Sequence, residues 1–199
     1  MDGVHVLVPA AGAARRMRGA DKLLEPVEGQ PLLARAVAAA GGSGAARVWV
    51  SLPPGATARR AALAGSGAKV IEVPEWEEGM AASLRAGARA AAAFEASALI
   101  VLLADMPEIG AEDVARFVAA HGTAPEAVWR GTSADGTAGH PVLFPARLFP
   151  AFAALKGDDG AKAVLAGEAV RPLPLAGNRA VTDLDTPEAW AEWRARSGS

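Results

Sequence analysis

Apolar runs of strand length punctuate the chain at residues 4–8, 47–52, 69–73, 99–103 and 141–144, with fainter ones at 127–129 and 170–175. Each is rich in Val, Ile or Leu and is bounded by turn residues, which predicts strands. Between them lie Ala-rich stretches of helical length at 31–40, 57–64, 80–94 and 111–121, and shorter ones at 161–166 and 187–196. The run Leu99-Ile100-Val101-Leu102-Leu103 is apolar at every position rather than at alternate ones, the mark of a strand covered on both faces. The alternation therefore predicts an α/β fold: a single three-layer α/β/α domain over 1–196 with a mostly parallel sheet. Gly41-Gly42-Ser43-Gly44 and Gly65-Ser66-Gly67 are short enough to be loops, and 197–199 reads as a loose tail. Ligands of such sheets bind at the carboxyl ends of the strands.

Composition narrows the chemistry. With 199 residues the chain is long enough to bury a core without staples. A net charge of −2 argues against a nucleic-acid partner, which calls for a basic face. There is no Cys, so any metal must be held by oxygen or imidazole donors, and thiolate nucleophiles are excluded. The first residues lack a basic segment followed by a long apolar one, and the run 96–104 is too short to span a bilayer. A cytoplasmic protein with no membrane partner is expected.

Directly after the first strand comes Pro9-Ala10-Ala11-Gly12-Ala13-Ala14-Arg15-Arg16-Met17-Arg18-Gly19-Ala20-Asp21-Lys22. Small residues let successive backbone N–H groups face phosphate oxygens, while Arg15, Arg16, Arg18 and Lys22 supply positive charge. The same residues suit a plain βα turn with a solvated basic run, and composition does not separate the two. Neither G-x-G-x-x-G nor G-x-x-x-x-G-K-[ST] is present here, which removes the usual dinucleotide and P-loop fingerprints.

Asp105 follows the most apolar run, in Leu102-Leu103-Ala104-Asp105-Met106-Pro107, where a carboxylate meets whatever binds at the strand ends. Its plain alternative is a turn or cap residue. In Thr182-Asp183-Leu184-Asp185-Thr186-Pro187 the period-2 spacing places Asp183 and Asp185 on one side of an extended segment. Asp185 or Thr186 is also suited to cap the helix that Pro187 opens.

The first loop resembles the A-A-G-x-x-x-R-M-G-x-x-K signature of nucleotidyltransferases with a glycosyltransferase-A-like, Rossmann-like sheet. It matches at Ala10, Ala11, Gly12, Arg16, Met17 and Lys22 and departs by one inserted residue at Arg18-Gly19. Asp105-Met106-Pro107 and Asp183-Leu184-Asp185-Thr186-Pro187 resemble the L-x-x-D-M-P and D-x-D-T-P motifs of that group. Gly79-Met80-Ala81-Ala82-Ser83-Leu84-Arg85-Ala86-Gly87, Gly139-His140-Pro141 and Gly157-Asp158-Asp159-Gly160-Ala161-Lys162 are similar to motifs of its molybdenum-cofactor cytidylyltransferases, in the MobA-like NTP transferase family. By residue type alone Ser83 also suits a bond to its own backbone, Gly87 a close-packing contact, and Asp158 the cap of a short helix.

The resemblance implies a nucleotidyltransferase domain over 1–196 that moves CMP from CTP to the phosphate of molybdopterin and releases pyrophosphate. It implies Mg²⁺ held by Asp105 and Asp183, with Asp185 as the weaker ligand. Ala10, Ala11, Gly12, Arg16, Lys22, Gly79, Met80 and Ser83 would bind the nucleotide, and Arg16, Lys22 and Asp105 would act in catalysis. His140, Pro141 and Asp158 would meet the acceptor, and an apo-molybdoenzyme is a further partner. The alternatives are a nucleotidyltransferase for methylerythritol phosphate or a sugar phosphate, and a non-catalytic carrier of the cofactor.

Overall fold

The computed structural model describes residues 3–12 and 21–197. Arg15, Arg16, Met17 and Arg18 of the first loop, and Gly198 and Ser199 of the expected tail, lie outside the described residues. The strands are β1 (Val4–Pro9), β2 (Pro26–Val27), β3 (Gln30–Pro31), β4 (Arg47–Leu52), β5 (Lys69–Glu72), β6 (Ala98–Val101), β7 (Val128–Thr132), β8 (Ala138–Pro145) and β9 (Val170–Pro174). The α-helices are α1 (Leu32–Gly41), α2 (Thr57–Ala62), α3 (Met80–Ala93), α4 (Ala111–Thr123) and α5 (Pro187–Ser197).

Seven strands form one sheet in the order β5-β4-β1-β6-β8-β7-β9, and β2 pairs with β3 in a separate small hairpin. The β5/β4, β4/β1, β1/β6 and β7/β9 pairs are parallel, as the βα alternation predicts. The stretch expected at 141–144 is the longest strand, β8, and it runs antiparallel to both β6 and β7. No helix separates β7 from β8, so the chain returns by a short turn, and an antiparallel pairing is the one such a connection permits.

Because β1 and β6 are buried at every position, adjacent side chains enter different layers. Val6, Val8 and Ile100 pack with Leu33, Val37, Val114 and Phe117 beneath α1 and α4. Leu7, Leu99 and Val101 point the other way, into a layer with Leu84, Ala88, Phe144 and Phe152. That second layer is built from α3 and a 3₁₀ segment, Ala146–Ala154, that periodicity does not predict. Pro150 interrupts it, so the segment buries Phe149 and Phe152 without completing an α-helical turn pattern. Residues 161–166, expected as an α-helix, form a 3₁₀ segment at Ala161–Leu165. The fourth apolar run ends as a strand at Val101 rather than Leu103: Leu102 N–H still donates to Leu7 O of β1, and the chain then leaves the sheet.

Candidate functional site

Parallel pairing of β1 with β6 brings the two following loops to the same edge of the sheet. Ala10 N–H donates to Ser51 O at 3.0 Å, fixing the first loop against the end of β4. At that edge Lys22 Nζ donates to Asp105 Oδ2 at 2.6 Å and also to Asp185 Oδ1. The antiparallel strand β8 begins where β6 ends, since Val142 pairs with Val101, and this delivers His140 to the same edge. The segment bearing Asp183 and Asp185 is tied down twice: His140 N–H donates to Ala180 O at 2.8 Å, and Leu184 N–H donates to Asp105 O at 3.0 Å. Leu184 is buried with Val27, Leu32 and Trp190, which leaves Asp183 and Asp185 on the opposite side, as the period-2 spacing predicts.

The alternatives raised by residue type are decided individually. Thr186 Oγ1 accepts the Ala189 N–H at 3.2 Å, so Thr186 caps α5 and Asp185 is left to meet Lys22. Asp105 lies five residues ahead of the Gly110 that precedes α4 and caps no helix. Instead Gly110 N–H donates to Asp113 Oδ2. Asp158 does not cap the 3₁₀ segment, which Gly160 precedes without a side-chain bond. Gly79 has φ +106°, and a Cβ there would lie 2.3 Å from Asp158 Oδ1, so only glycine admits the 157–158 loop against the start of α3. Gly87 has the packing role: a Cβ there would strike the Leu7 side chain.

Around these groups is a cavity of about 590 Å³. Of the expected residues it is lined by Ala10, Gly12, Lys22, Gly79, Met80, Ser83, Asp105, Asp158, Asp183 and Asp185. Ala11 faces a neighbouring cavity of about 320 Å³, on the α2 side of the loop. His140 lines a third, about 250 Å³, which shares Met80, Leu103 and Asp158 with the first and adds Arg130 and Lys162. Pro141 is buried in β8 and lines none of the three, so the acceptor contact expected of it is not seen here. Arg16 lies outside the described residues.

Charge in the large cavity is unbalanced: Asp105, Asp158, Asp183, Asp185, Glu77 and Glu78 line it together with Lys22. Burial, followed by the neighbouring Asp185 and Asp105 carboxylates, pushes the Asp183 carboxyl above its ordinary value. Burial works to lower the Lys22 ammonium, but the Asp105 and Asp185 carboxylates outweigh it and hold Lys22 above the usual lysine range. Asp105 Oδ1 is buried without a hydrogen-bond partner. Burial, reinforced by the Arg130 guanidinium, holds His140 below the ordinary imidazole value, so it is neutral near pH 7.

Sequence patterning does not single out Arg59, Asp21, Trp76 or Arg130. Arg59 falls in the short, polar-looking helix α2, where an arginine is ordinarily solvated. In the fold it is buried and bonded to the first loop from both sides. Trp76 lines both the large cavity and the α2-side one.

Comparison with known proteins agrees with this fold. Residues 6–173 match the family model of the MobA-like NTP transferase domain. The purine catabolism protein PucB of Bacillus subtilis (strain 168) is 30% identical over 195 residues, covering 91% of each chain. Nicotine blue oxidoreductase of Paenarthrobacter nicotinovorans is 30% identical over 161 residues, covering 78% of each. Among solved structures, Rv0371c of Mycobacterium tuberculosis H37Rv superposes with a TM-score of 0.81 at 29% identity, covering 96% of this chain and 97% of that one. A manganese complex of Rv0371c superposes with a TM-score of 0.76 at 27% identity over the same shares. No helix among the described residues is long and apolar enough to cross a membrane. A nucleoside triphosphate substrate is supported by the family, and the chain belongs to the MobA-like NTP transferase family of nucleotidyltransferases.

Proposed function

We propose that the chain transfers CMP from CTP to the phosphate of molybdopterin and releases pyrophosphate, with Mg²⁺ as cofactor. The observation that carries this reading is the meeting of Lys22, Asp105, Asp183 and Asp185 in one cavity with the first loop and the start of α3, beside a second cavity bearing His140, Arg130 and Lys162. In this reading Ala10, Ala11 and Gly12 lie along the triphosphate, Arg16 and Lys22 answer its charge, and Gly79, Met80 and Ser83 hold the nucleoside. By the resemblance, guanylyl-transferring relatives carry Gly-Gly in the first loop and asparagines at the two acidic positions, whereas this chain has Ala11-Gly12, Asp183 and Asp185, which favours cytidine.

Asp105 with Asp183, or with Asp185, would hold Mg²⁺. The unpartnered buried Oδ1 of Asp105 and an all-oxygen donor set fit a hard cation. Among the described residues no group of three or more His, Cys, Asp or Glu is arranged to hold a metal, so waters and phosphate oxygens would complete the shell. When bound, the ion would neutralise charge developing on the α-phosphate and pyrophosphate. The manganese complex of Rv0371c supports a divalent cation in this family.

The acceptor phosphate, with a second pKa near ~6, is largely dianionic at neutral pH. One of its oxygens attacks the α-phosphorus; the new P–O bond forms as the bond to the β-phosphate breaks, and pyrophosphate leaves with the electron pair. No proton has to be moved in this step, so no general base is required. What the protein supplies is alignment of two mutually repelling anions and positive charge beside them. Arg130 and Lys162 face the acceptor cavity as cations, Leu84, Val101, Val142 and Leu165 give it an apolar wall, and neutral His140 adds a hydrogen-bonding edge. A flat heterocycle carrying a phosphate suits that lining.

The test is pyrophosphate release with Mg²⁺, CTP or GTP, and molybdopterin, methylerythritol phosphate or a sugar phosphate. Release only with CTP and molybdopterin is expected. Release with another acceptor alone replaces the acceptor assignment, and no release with any acceptor leaves the non-catalytic carrier reading instead.

A further inference from the structure

Arg59 is 8% exposed although it sits on a six-residue helix with a polar-looking sequence. Its guanidinium spends itself on both shoulders of the first loop. Nη1 donates to Ala10 O at 2.6 Å and to Gly12 O at 3.0 Å, on the near side. Nε donates to Asp21 Oδ2 at 2.7 Å and Nη2 to Asp21 Oδ1 at 3.0 Å, a paired fork on the far side. Asp21 in turn accepts the Leu23 N–H at 3.1 Å through Oδ1, so the carboxylate also shapes the turn that carries Lys22. One buried cation thus joins the two ends between which residues 13–20 run.

We propose that Arg59 is a positioning residue for the triphosphate: it ties Ala10 and Gly12 to Asp21, so that Ala10, Gly12 and the neighbouring Lys22 line the large cavity together. The inference rests on the proposal that this loop holds a triphosphate. Two carbonyl oxygens accept from Nη1, which turns Ala10 and Gly12 so that their C=O groups face α2. A lysine has the charge but not the planar fork, and it cannot bond two carbonyls and a carboxylate at once in this geometry. The clamp acts on the loop alone; its partners do not include His140, Arg130 or Lys162, which line the acceptor cavity.

The experiment compares wild type, Arg59→Lys and Asp21→Asn by calorimetric titration with CTP and GTP in Mg²⁺, by steady-state KM for nucleotide and acceptor, and by thermal unfolding. Loss of charge-assisted bonds predicts that Arg59→Lys weakens nucleotide binding by about tenfold or more and raises the nucleotide KM in step. The acceptor KM is expected to stay within about twofold, a split that general loosening of the fold does not produce. Asp21→Asn keeps the oxygen but removes the charge, and about a threefold weakening is expected. Nucleotide affinity in Arg59→Lys equal to wild type overturns the clamp, as does a parallel rise of both KM values. If Arg59→Lys does not fold, Asp21→Asn decides on the same readouts. Wild-type protein that binds neither nucleotide overturns the triphosphate reading itself, and the clamp falls with it.

Discussion

Lys22 sits between Asp105 and Asp185, with its side chain only 17% exposed, and on the proposed function this contact lies where the triphosphate would bind. A part-buried ammonium between two carboxylates is supported on both sides, so that when one acid is removed the other still pairs with it. Asp105→Asn is expected to lower turnover by at least about 10²-fold, the order lost when one charge-stabilising group is taken from a transition state. The amide keeps the side chain's shape, so the thermal midpoint should stay within about 5 °C of wild type; pyrophosphate release and calorimetry on one preparation check both. His121 gives a second residue-scale expectation. It lies 3.0 Å from Ser97 Oγ at the edge of the core, and burial, partly offset by Glu126, holds its imidazole below the ordinary value. A folded pKa below the unfolded one means that the unfolded chain binds the proton more readily. Stability from this group is therefore present above about pH 6.5 and is lost as pH falls from there through the folded pKa. Thermal midpoints across pH 5–8 should show that loss, and His121→Gln should flatten it.

At the scale of elements, the site depends on where helices begin and strands end. Thr186 caps α5 and thereby frees Asp185 to meet Lys22. Thr186→Ala should cost about 1 kcal/mol, measured by denaturant unfolding. Gly79 joins the start of α3 to the 157–158 loop, where Ala81 N–H donates to Gly157 O. Gly79→Ala forces a methyl onto Asp158 and a residue with φ +106°, and should cost about 1–3 kcal/mol in stability. It should also weaken nucleotide and acceptor binding together, because the displaced loop borders both cavities. That joint effect distinguishes it from Arg59→Lys, whose effect is confined to the nucleotide.

For the whole molecule, the layout separates stability from chemistry. Phe152 is fully buried and meets Phe144 edge to face with centroids 5.1 Å apart, in the layer made by α3 and the 3₁₀ segment. It lines neither the cavity that holds Lys22 and Asp105 nor the one that holds His140. Phe152→Ala should cost about 3–5 kcal/mol by unfolding, while both KM values of the protein that remains folded should stay near wild type. The layers themselves are legible from the chain, since local sequence sets period, apolar runs and turn residues. The run 99–103 marks a strand covered on both faces, and the βα alternation gives the parallel core. The small residues at 10–12 and the carboxylates at 105, 183 and 185 stand out by type and by their place after strands. The 3₁₀ segment at Ala146–Ala154, the antiparallel course of β8 and the burial of Arg59 are not legible, because none of them is set by local period. The bonds of Lys22 to Asp105 and Asp185 span 83 and 163 positions, and those of Arg59 to the first loop span 38 to 49. Such pairs exist only once the sheet has set which loops share an edge. The sequence alone determined which residue types stand at the strand ends, whereas only the tertiary structure decided which of them touch, since a side chain's partners follow from how distant backbone segments cross.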